Sequence, residues 1–406
     1  MRKLYSVVHA IEPLLPEDRD GSLRAAAARL IAGSAKLAAP LRRPVAREIV
    51  EIVRAMNGYY SNLIEGYRTF PADVQAALEG HFSDVSERRD MQLMHLAHLE
   101  TQKLMEQKLL SMPSQDVCSP EFLCWIHGEF YARLPETLRK VSDMRGRLHP
   151  VPEGRLRDFN VRIGTHIPPR HEELADFLAV FHERFGSMVD RSPRSFVAMA
   201  AAHHRLAWIH PFGDGNGRVI RLFTEAWLLK SGLEGVGMWT LCRGLARRNA
   251  QYKAVLAAAD SPRLHDTDGR GALSEQRLSE FCRFMLDTAT DQTAFMASLI
   301  DSERLEARLF AYARLREETR ELPKRSSILL RDVLLRGEIR RGEASRILGV
   351  SPRTAQTVIR HLETAGFLHS KTPKGPIGLV FPVNSVGTLF PNLYPAGETD
   401  DRSIGR

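Results

Sequence analysis

The sequence predicts a mainly α-helical protein with one β-hairpin near its middle and a small helix-turn-helix unit towards its end. Three observations predict it. Apolar residues recur at helical spacing through most of residues 44–321. Residues 144–169 break that rhythm with turn residues and an apolar–polar alternation. Residues 341–381 set two short helical patterns around a Gly-Val turn and follow them with two strand-like runs.

Length and composition agree. At 406 residues, 43% of them hydrophobic, the chain is long enough for two or three globular domains. Lys and Arg number 57 against 49 acids, a formal charge of +8. Cys118, Cys124, Cys242 and Cys282 have no paired metal spacing, so reduced, buried thiols in a cytoplasmic protein are expected. Leu4 to Leu15 is interrupted by His9 and Glu12, which argues against both a signal peptide and a membrane span.

The elements follow in order. Residues 1–42 form an Ala-rich, Pro-punctuated lead. Pro44 opens a helix with Val45, Ile49, Ile52, Val53 and Met56 on one stripe, and Asn57-Gly58 is expected to break it. Residues 72–111 and 120–139 are again helical in spacing. Met144 to Pro150 is turn-rich, and in Asn160 to Pro169 the alternation puts Val161 and Ile163 on one strand face. Two helices follow, one carrying Leu174, Phe177, Leu178, Phe181 and Phe185, the next Phe196, Met199, Ala200, His203 and Ala207. His203 falls on the apolar stripe and reads as a core histidine. A zinc site at His203-His204 is not expected, since no HExxH spacing is present. Residues 275–321 form long charged helices that pack through Phe281, Phe284, Met285, Phe295, Met296 and Leu299.

The chemistry concentrates in His210-Pro-Phe-Gly-Asp-Gly-Asn-Gly-Arg218, followed by Arg221. Gly213, Gly215 and Gly217 let successive N–H groups converge on an anion. Val219, Leu222, Phe223, Ala226 and Leu229 recur at helical spacing, so the glycine run ends at a helix N-terminus, a ready phosphate site. Arg218 and Arg221 are three apart and share a face of its first turn. Asp214 is a hard oxygen ligand suited to magnesium. His210 ordinarily titrates near neutrality and is the natural general base. No Gly-x-x-x-x-Gly-Lys-Ser/Thr run occurs, so a P-loop fold has no support.

This segment resembles the Fic family of nucleotidyl transferases, whose motif is His-x-Phe-x-(Asp/Glu)-Gly-Asn-Gly-Arg-x-x-Arg. All eight specified positions match: His210, Phe212, Asp214, Gly215, Asn216, Gly217, Arg218 and Arg221. The resemblance implies a Fic-type helical bundle with a β-hairpin flap, and transfer of AMP from ATP to a Ser, Thr or Tyr hydroxyl of a target protein. His210 would deprotonate the hydroxyl, and Asp214 would hold Mg2+. Gly215, Asn216 and Gly217 would form the anion hole, and Arg218 and Arg221 would bind the distal phosphates. Phe212 would anchor the loop.

Upstream, Ser61-Asn-Leu-Ile-Glu65-Gly66 resembles the family's inhibitory motif, (Ser/Thr)-x-x-x-Glu-(Gly/Asn). Ser61 and Glu65 are four apart, on one helix face. A capping box would need its acid at position 64, which is Ile64. Taken alone, Glu65 also suits a first helical turn, where a carboxylate complements the dipole. The resemblance implies instead that Glu65 pairs with Arg221 in the γ-phosphate position. By the same resemblance, Val161, Arg162 and Ile163 belong to the flap that docks the target by main-chain pairing. Tyr252, in Arg243 to Tyr252, is either an adenine neighbour or a buried helix aromatic.

Towards the end of the chain, Ser351-Pro352 caps a helix that turns Ala355, Val358, Ile359 and Leu362 inward. Leu368 to Phe381 then forms a two-stranded wing, and the whole resembles a winged helix. From Lys324 to Lys374 there are 11 Lys or Arg and 4 acids, a net +7 that suits duplex DNA through Arg353, Arg360 and Lys374. The expected domains are a helical region over 1–110 with the inhibitory motif, a catalytic core over 111–260, a helical extension over 261–322, a winged helix over 323–383 and a flexible tail over 384–406. The alternatives to AMP transfer are AMP removal, with Glu65 orienting water, and a DNA-binding regulator whose Fic half senses nucleotide. A homodimer that buries or releases the Glu65 helix is a further expectation.

Overall fold

The computed structural model describes residues 7–38, 41–68, 71–143 and 146–395. Helices dominate. The N-terminal part holds α1 (Ser22–Ala38), α2 (Arg43–Ile64), α3 (Pro71–Leu78) and α4 (Ser86–Ser111). The central part holds α5 (Pro120–Tyr131), the strands β1 (Lys140–Ser142) and β2 (Leu148–Pro150), α6 (Leu174–Phe185), α7 (Pro193–Ile209), α8 (Asn216–Lys230), α9 (Leu241–Arg247) and α10 (Asn249–Ala258). Two long helices, α11 (Glu275–Ile300) and α12 (Ser302–Glu318), lead to the last unit.

The core lies around α7 and α8. From Ser195 to Ile209, every residue of α7 except Ala207 is buried, and α8 is buried from Arg218 to Leu228. Helices with apolar residues on all sides sit at the centre of a fold. Here α1, α6 and α11 pack on α7, and α2, α4 and α5 pack on α8. Ser192 caps α7, accepting from the Ser195 N–H at 3.2 Å, with Pro193 in the first turn.

Two expectations needed correction. Asn57-Gly58 does not end α2, which runs on to Ile64. Tertiary packing overrides the local break. The Asn57 amide donates to Gln102 at 2.8 Å, and a Cβ on Gly58 would lie 3.3 Å from the His95 ring. Ser61 therefore sits in the last turn of α2 and Glu65 at its C-cap, so the first-turn dipole reading of Glu65 falls. The regular hairpin also lies upstream of the expected strand. β1 and β2 pair antiparallel with Val141 opposite His149, while Asn160–Pro169 contains only a bridged turn between Ile163 and His166. Met144 and Arg145, in the expected turn-rich run, lie outside the described residues.

The last unit comprises α13 (Ser326–Arg336), β3 (Glu338–Ile339), α14 (Ala344–Leu348), α15 (Pro352–Thr364), β4 (Leu368–His369), β5 (Ile377–Leu379) and α16 (Val383–Leu389). Its sheet has the order β3-β5-β4, antiparallel throughout. The Ser351 hydroxyl accepts from the Thr354 N–H at 3.2 Å, and Ala355, Val358, Ile359 and Leu362 are buried. The expected tail starts late. Val383–Leu389 is helical and Phe390 and Leu393 are buried, because apolar residues there find a surface on the helices; 396–406 lie outside the described residues.

Candidate active site

The end of α7 sets the site. His210 caps that helix in the left-handed conformation, φ 51° and ψ 63°, a strained state for a residue with a Cβ. Phe212 is fully buried and stacks on the His127 ring at 4.1 Å. The Asn216 amide closes the loop on itself. Its Oδ1 accepts from the Phe212 N–H at 3.0 Å, and its Nδ2 donates to the Phe212 carbonyl at 2.9 Å. Asn216 can thus offer an anion only its main chain. Gly215, at φ 76°, is the N-cap of α8, and a Cβ there would lie 2.6 Å from the Tyr131 ring.

Asp214 is held from α5. The Tyr131 hydroxyl donates to its Oδ2 at 2.8 Å, and His127 Nε2 lies 3.3 Å from its carbonyl oxygen. The Gly154 N–H donates to His127 Nδ1 at 3.0 Å, so the His127 proton is on Nε2. Burial holds His127 at about 4, hence neutral. Neither His127 nor Tyr131 belongs to a local sequence signal; only the fold brings α5 under the loop.

Glu65 reaches the same place from α2. Its Oε1 would touch a Cβ on Gly217 at 2.0 Å, so only glycine leaves room for the carboxylate at the first turn of α8. Arg221 donates to Glu65 at 2.6 Å, to the Ser61 hydroxyl at 2.9 Å and to the Ser61 carbonyl at 3.0 Å. Arg221 is buried, and Glu65 is partly open to solvent. Burial works against the Glu65 charge, but the charge and hydrogen bond of Arg221 outweigh it and keep the carboxyl below its usual range. Arg218 points elsewhere. It donates to Asn62 Oδ1 at 3.2 Å and lies between the Tyr67 and Phe130 rings at 4.9 and 5.2 Å.

His210 is depressed to about 4, first by burial and then by the charge of Arg157. Its imidazole is neutral at pH 7. Arg157, which carries no local motif, donates to the His210 carbonyl at 2.9 Å. Tyr252 is buried, and its hydroxyl meets His203 Nε2 at 2.8 Å while His203 Nδ1 meets the Thr224 hydroxyl at 2.7 Å. That network holds the Tyr252 hydroxyl within the core. In the expected flap, Val161 is buried, Arg162 donates to the Gly164 carbonyl, and Ile163 is exposed. The Ile163 N–H and carbonyl are both spent on His166 at 2.9 Å. Arg353, Arg360 and Lys374 are exposed on the last unit, away from any ion pair among the described residues.

Asp214 suits a magnesium ion that takes its other ligands from phosphates and water, since one carboxylate oxygen remains beside the one bound to Tyr131. No group of three His, Cys, Asp or Glu able to form a closed metal cage occurs among the described residues. No helix among them is long and apolar enough to cross a membrane.

Comparison with known proteins fits this geometry. Residues 117–228 match the sequence profile of the Fic/DOC family. A protein of Nematostella vectensis named protein adenylyltransferase Fic is 35% identical over 91 residues, 22% of this chain and 21% of that protein. The protein of the same name from Drosophila grimshawi is 28% identical over 138 residues, 33% of this chain and 29% of its own. The chain thus spans less than a third of these curated relatives. A Fic-domain signaling protein from Bacteroides thetaiotaomicron has a similar fold, with a TM-score of 0.51 at 18% identity over 67% of this chain and 95% of that one. The loop that joins α7 to α8 therefore lies inside residues 117–228, the segment of this chain that matches the Fic/DOC family.

Proposed function

We propose that the chain is a protein adenylyltransferase held off by its own Glu65. The observation that carries this reading is the carboxylate seated on Gly217 and bonded to Arg221 at 2.6 Å. An anion already fills the N-terminus of α8, where a nucleotide phosphate would bind.

In the active arrangement Glu65 withdraws and the triphosphate takes its place. The main chain of Asn216 and Gly217 and the guanidinium of Arg221 receive phosphate oxygens. The neutral His210 imidazole accepts the proton of a Ser, Thr or Tyr hydroxyl. The hydroxyl oxygen attacks the α-phosphorus, the bond to the β-phosphate oxygen breaks, and pyrophosphate leaves with the bonding pair. Asp214, oriented by Tyr131, would hold a magnesium ion whose charge offsets that of the phosphates. With Glu65 in place the γ-phosphate cannot reach Arg221, so ATP binds misaligned or weakly.

The last unit supports a second activity. Its helix, strand and sheet order suits a winged helix, with α15 as the recognition helix. Arg353, Thr354, Gln356, Thr357 and Arg360 are exposed along α15, and Lys374 at the turn between β4 and β5. We assign this face to duplex DNA.

The test uses purified chain, magnesium, a cell lysate and ATP labelled at the α-phosphate. Glu65→Gly is expected to raise protein labelling, and Glu65→Gly/His210→Ala to abolish it. Equal labelling by wild type and Glu65→Gly would overturn the inhibition; unaltered labelling without His210 would overturn the mechanism.

A further inference from the structure

Arg157 is a buried cation without a carboxylate partner among the described residues. Carbonyl oxygens surround it instead. Its guanidinium donates to Phe159 O at 3.0 Å, Pro169 O at 2.6 Å and His210 O at 2.9 Å, and its own N–H donates to Pro211 O at 3.0 Å. Phe159 and Pro169 are the two ends of the segment that carries the Ile163–His166 turn. Arg157 thus closes that segment at its base and fastens it to the carbonyl of the strained His210. An unpaired buried charge is costly, and a fork with fixed geometry is what lets one side chain reach three acceptors.

We propose that Arg157 is a positioning residue that fixes His210 and the 159–169 segment as one unit, so that a hydroxyl held by that segment meets the imidazole. The inference rests on the transferase reading above. It separates orientation from nucleotide binding, since Arg157 touches the histidine and the segment but none of the groups assigned to phosphate.

The test compares Glu65→Gly with Glu65→Gly/Arg157→Lys and Glu65→Gly/Arg157→Met. Nucleotide affinity should stay within twofold while kcat for AMP transfer falls about 100-fold in the Met variant, the usual cost of misplacing a reacting group by an ångström. Lys keeps the charge but not the fork and should restore less than a tenth of the loss. Hydrogen exchange provides a readout independent of activity: amides of 159–169 and of 210–217 should lose protection together, by about tenfold. A folded Met variant with kcat within threefold of its parent, or exchange that rises in one segment alone, would overturn the proposal. If Glu65→Gly itself transfers no AMP, the transferase reading fails, and the exchange experiment still decides the role of Arg157.

A separate observation concerns the other end of the chain. After α16 the chain returns to the inhibitory helix. The Tyr60 hydroxyl donates to the Leu393 carbonyl at 2.8 Å, and the Tyr59 ring meets Tyr394 edge-on with centroids 5.2 Å apart. Arg243 of α9 donates to the Asn392 carbonyl at 2.8 Å. The two tyrosine contacts grip the final turns of α2, one residue before Ser61, and the arginine ties the same segment to α9. We infer that residues 390–394 latch α2 in the position that seats Glu65, which joins the last unit to the control of the catalytic loop. Tyr60→Phe, which removes only the hydroxyl, should raise AMP transfer about fivefold, the equivalent of one net hydrogen bond. Tyr394→Ala should raise it further. Neither should add anything in a Glu65→Gly background. An unchanged rate in these folded variants, or an equal gain without Glu65, would overturn the latch. Faster exchange of amides 60–66 in Tyr394→Ala is expected whichever nucleotide the enzyme uses, and unchanged exchange would count equally against it.

Discussion

Arg221 and Arg360 carry the same guanidinium in opposite surroundings. Arg221 lies buried in the seam between α2 and α8, with its Nε and Nη2 donating to Ser61 and Glu65. Arg360 stands in solvent on α15, as does Arg353 seven positions earlier, with no carboxylate bound among the described residues. In the seam a charge-assisted bond is strong and specific, and salt scarcely screens it. On the exposed face each cation contributes little alone and gains its effect by displacing counterions from a polyanion. On the function proposed above, one region would act through a single contact and the other through a summed field.

If the contrast holds, the largest effects belong to the seam. In a Glu65→Gly background, His210→Ala should lower AMP transfer about 1000-fold, the loss of a general base. Glu65→Gly alone should raise transfer about 10- to 100-fold, the worth of a hydrogen bond between charged groups. Glu65→Gln, which keeps the acceptor and removes the charge, should give a smaller rise. A Gln variant as active as the Gly variant would mean that charge, not occupancy, holds the seam.

Acid should expose the same division. Burial holds His95, His127 and His210 at about 4 and His203 at about 3. Their folded values lie below the ordinary 6.5, so between 6.5 and 4 the unfolded chain takes up protons that the folded chain refuses. Stability is full above pH 6.5 and falls as pH drops, by about 1.4 kcal/mol per unit for each histidine kept neutral. Thermal melts at pH 5 should therefore lie well below those at pH 7.5. The DNA face proposed above rests on the exposed Arg353, Arg360 and Lys374 and on none of these buried histidines, so duplex binding by the still-folded protein should change little. The smallest effect is on that face: Arg353→Ala or Arg360→Ala should each flatten the salt dependence of duplex binding by about one unit of slope. A salt-independent affinity would break the comparison.

Much of the site was legible because its chemistry is local. His210, Asp214, Gly215, Gly217 and Arg221 lie within one loop and one helical turn, and Ser61 and Glu65 within another. The inward set of α15 followed from helical spacing alone. What was not legible came from packing. Asn57-Gly58 reads as a break, yet Gln102 and the His95 ring hold it helical. No local pattern shows that the Asn216 side-chain amide closes on Phe212. Apolar alternation near 160 suggested a strand, but the ladder formed at β1 and β2, where both partners were at hand.

By itself the sequence determined the reactive groups, their order along the loop and the faces of the helices, since side-chain chemistry and the helical period are properties of short segments. Only the tertiary structure decided that Glu65, 156 positions before Arg221, accepts a hydrogen bond from it. The same holds for Tyr131, 83 positions before Asp214, and for Arg157, 53 before His210. Such contacts depend on how whole helices pack against one another, and no local pattern encodes the partner.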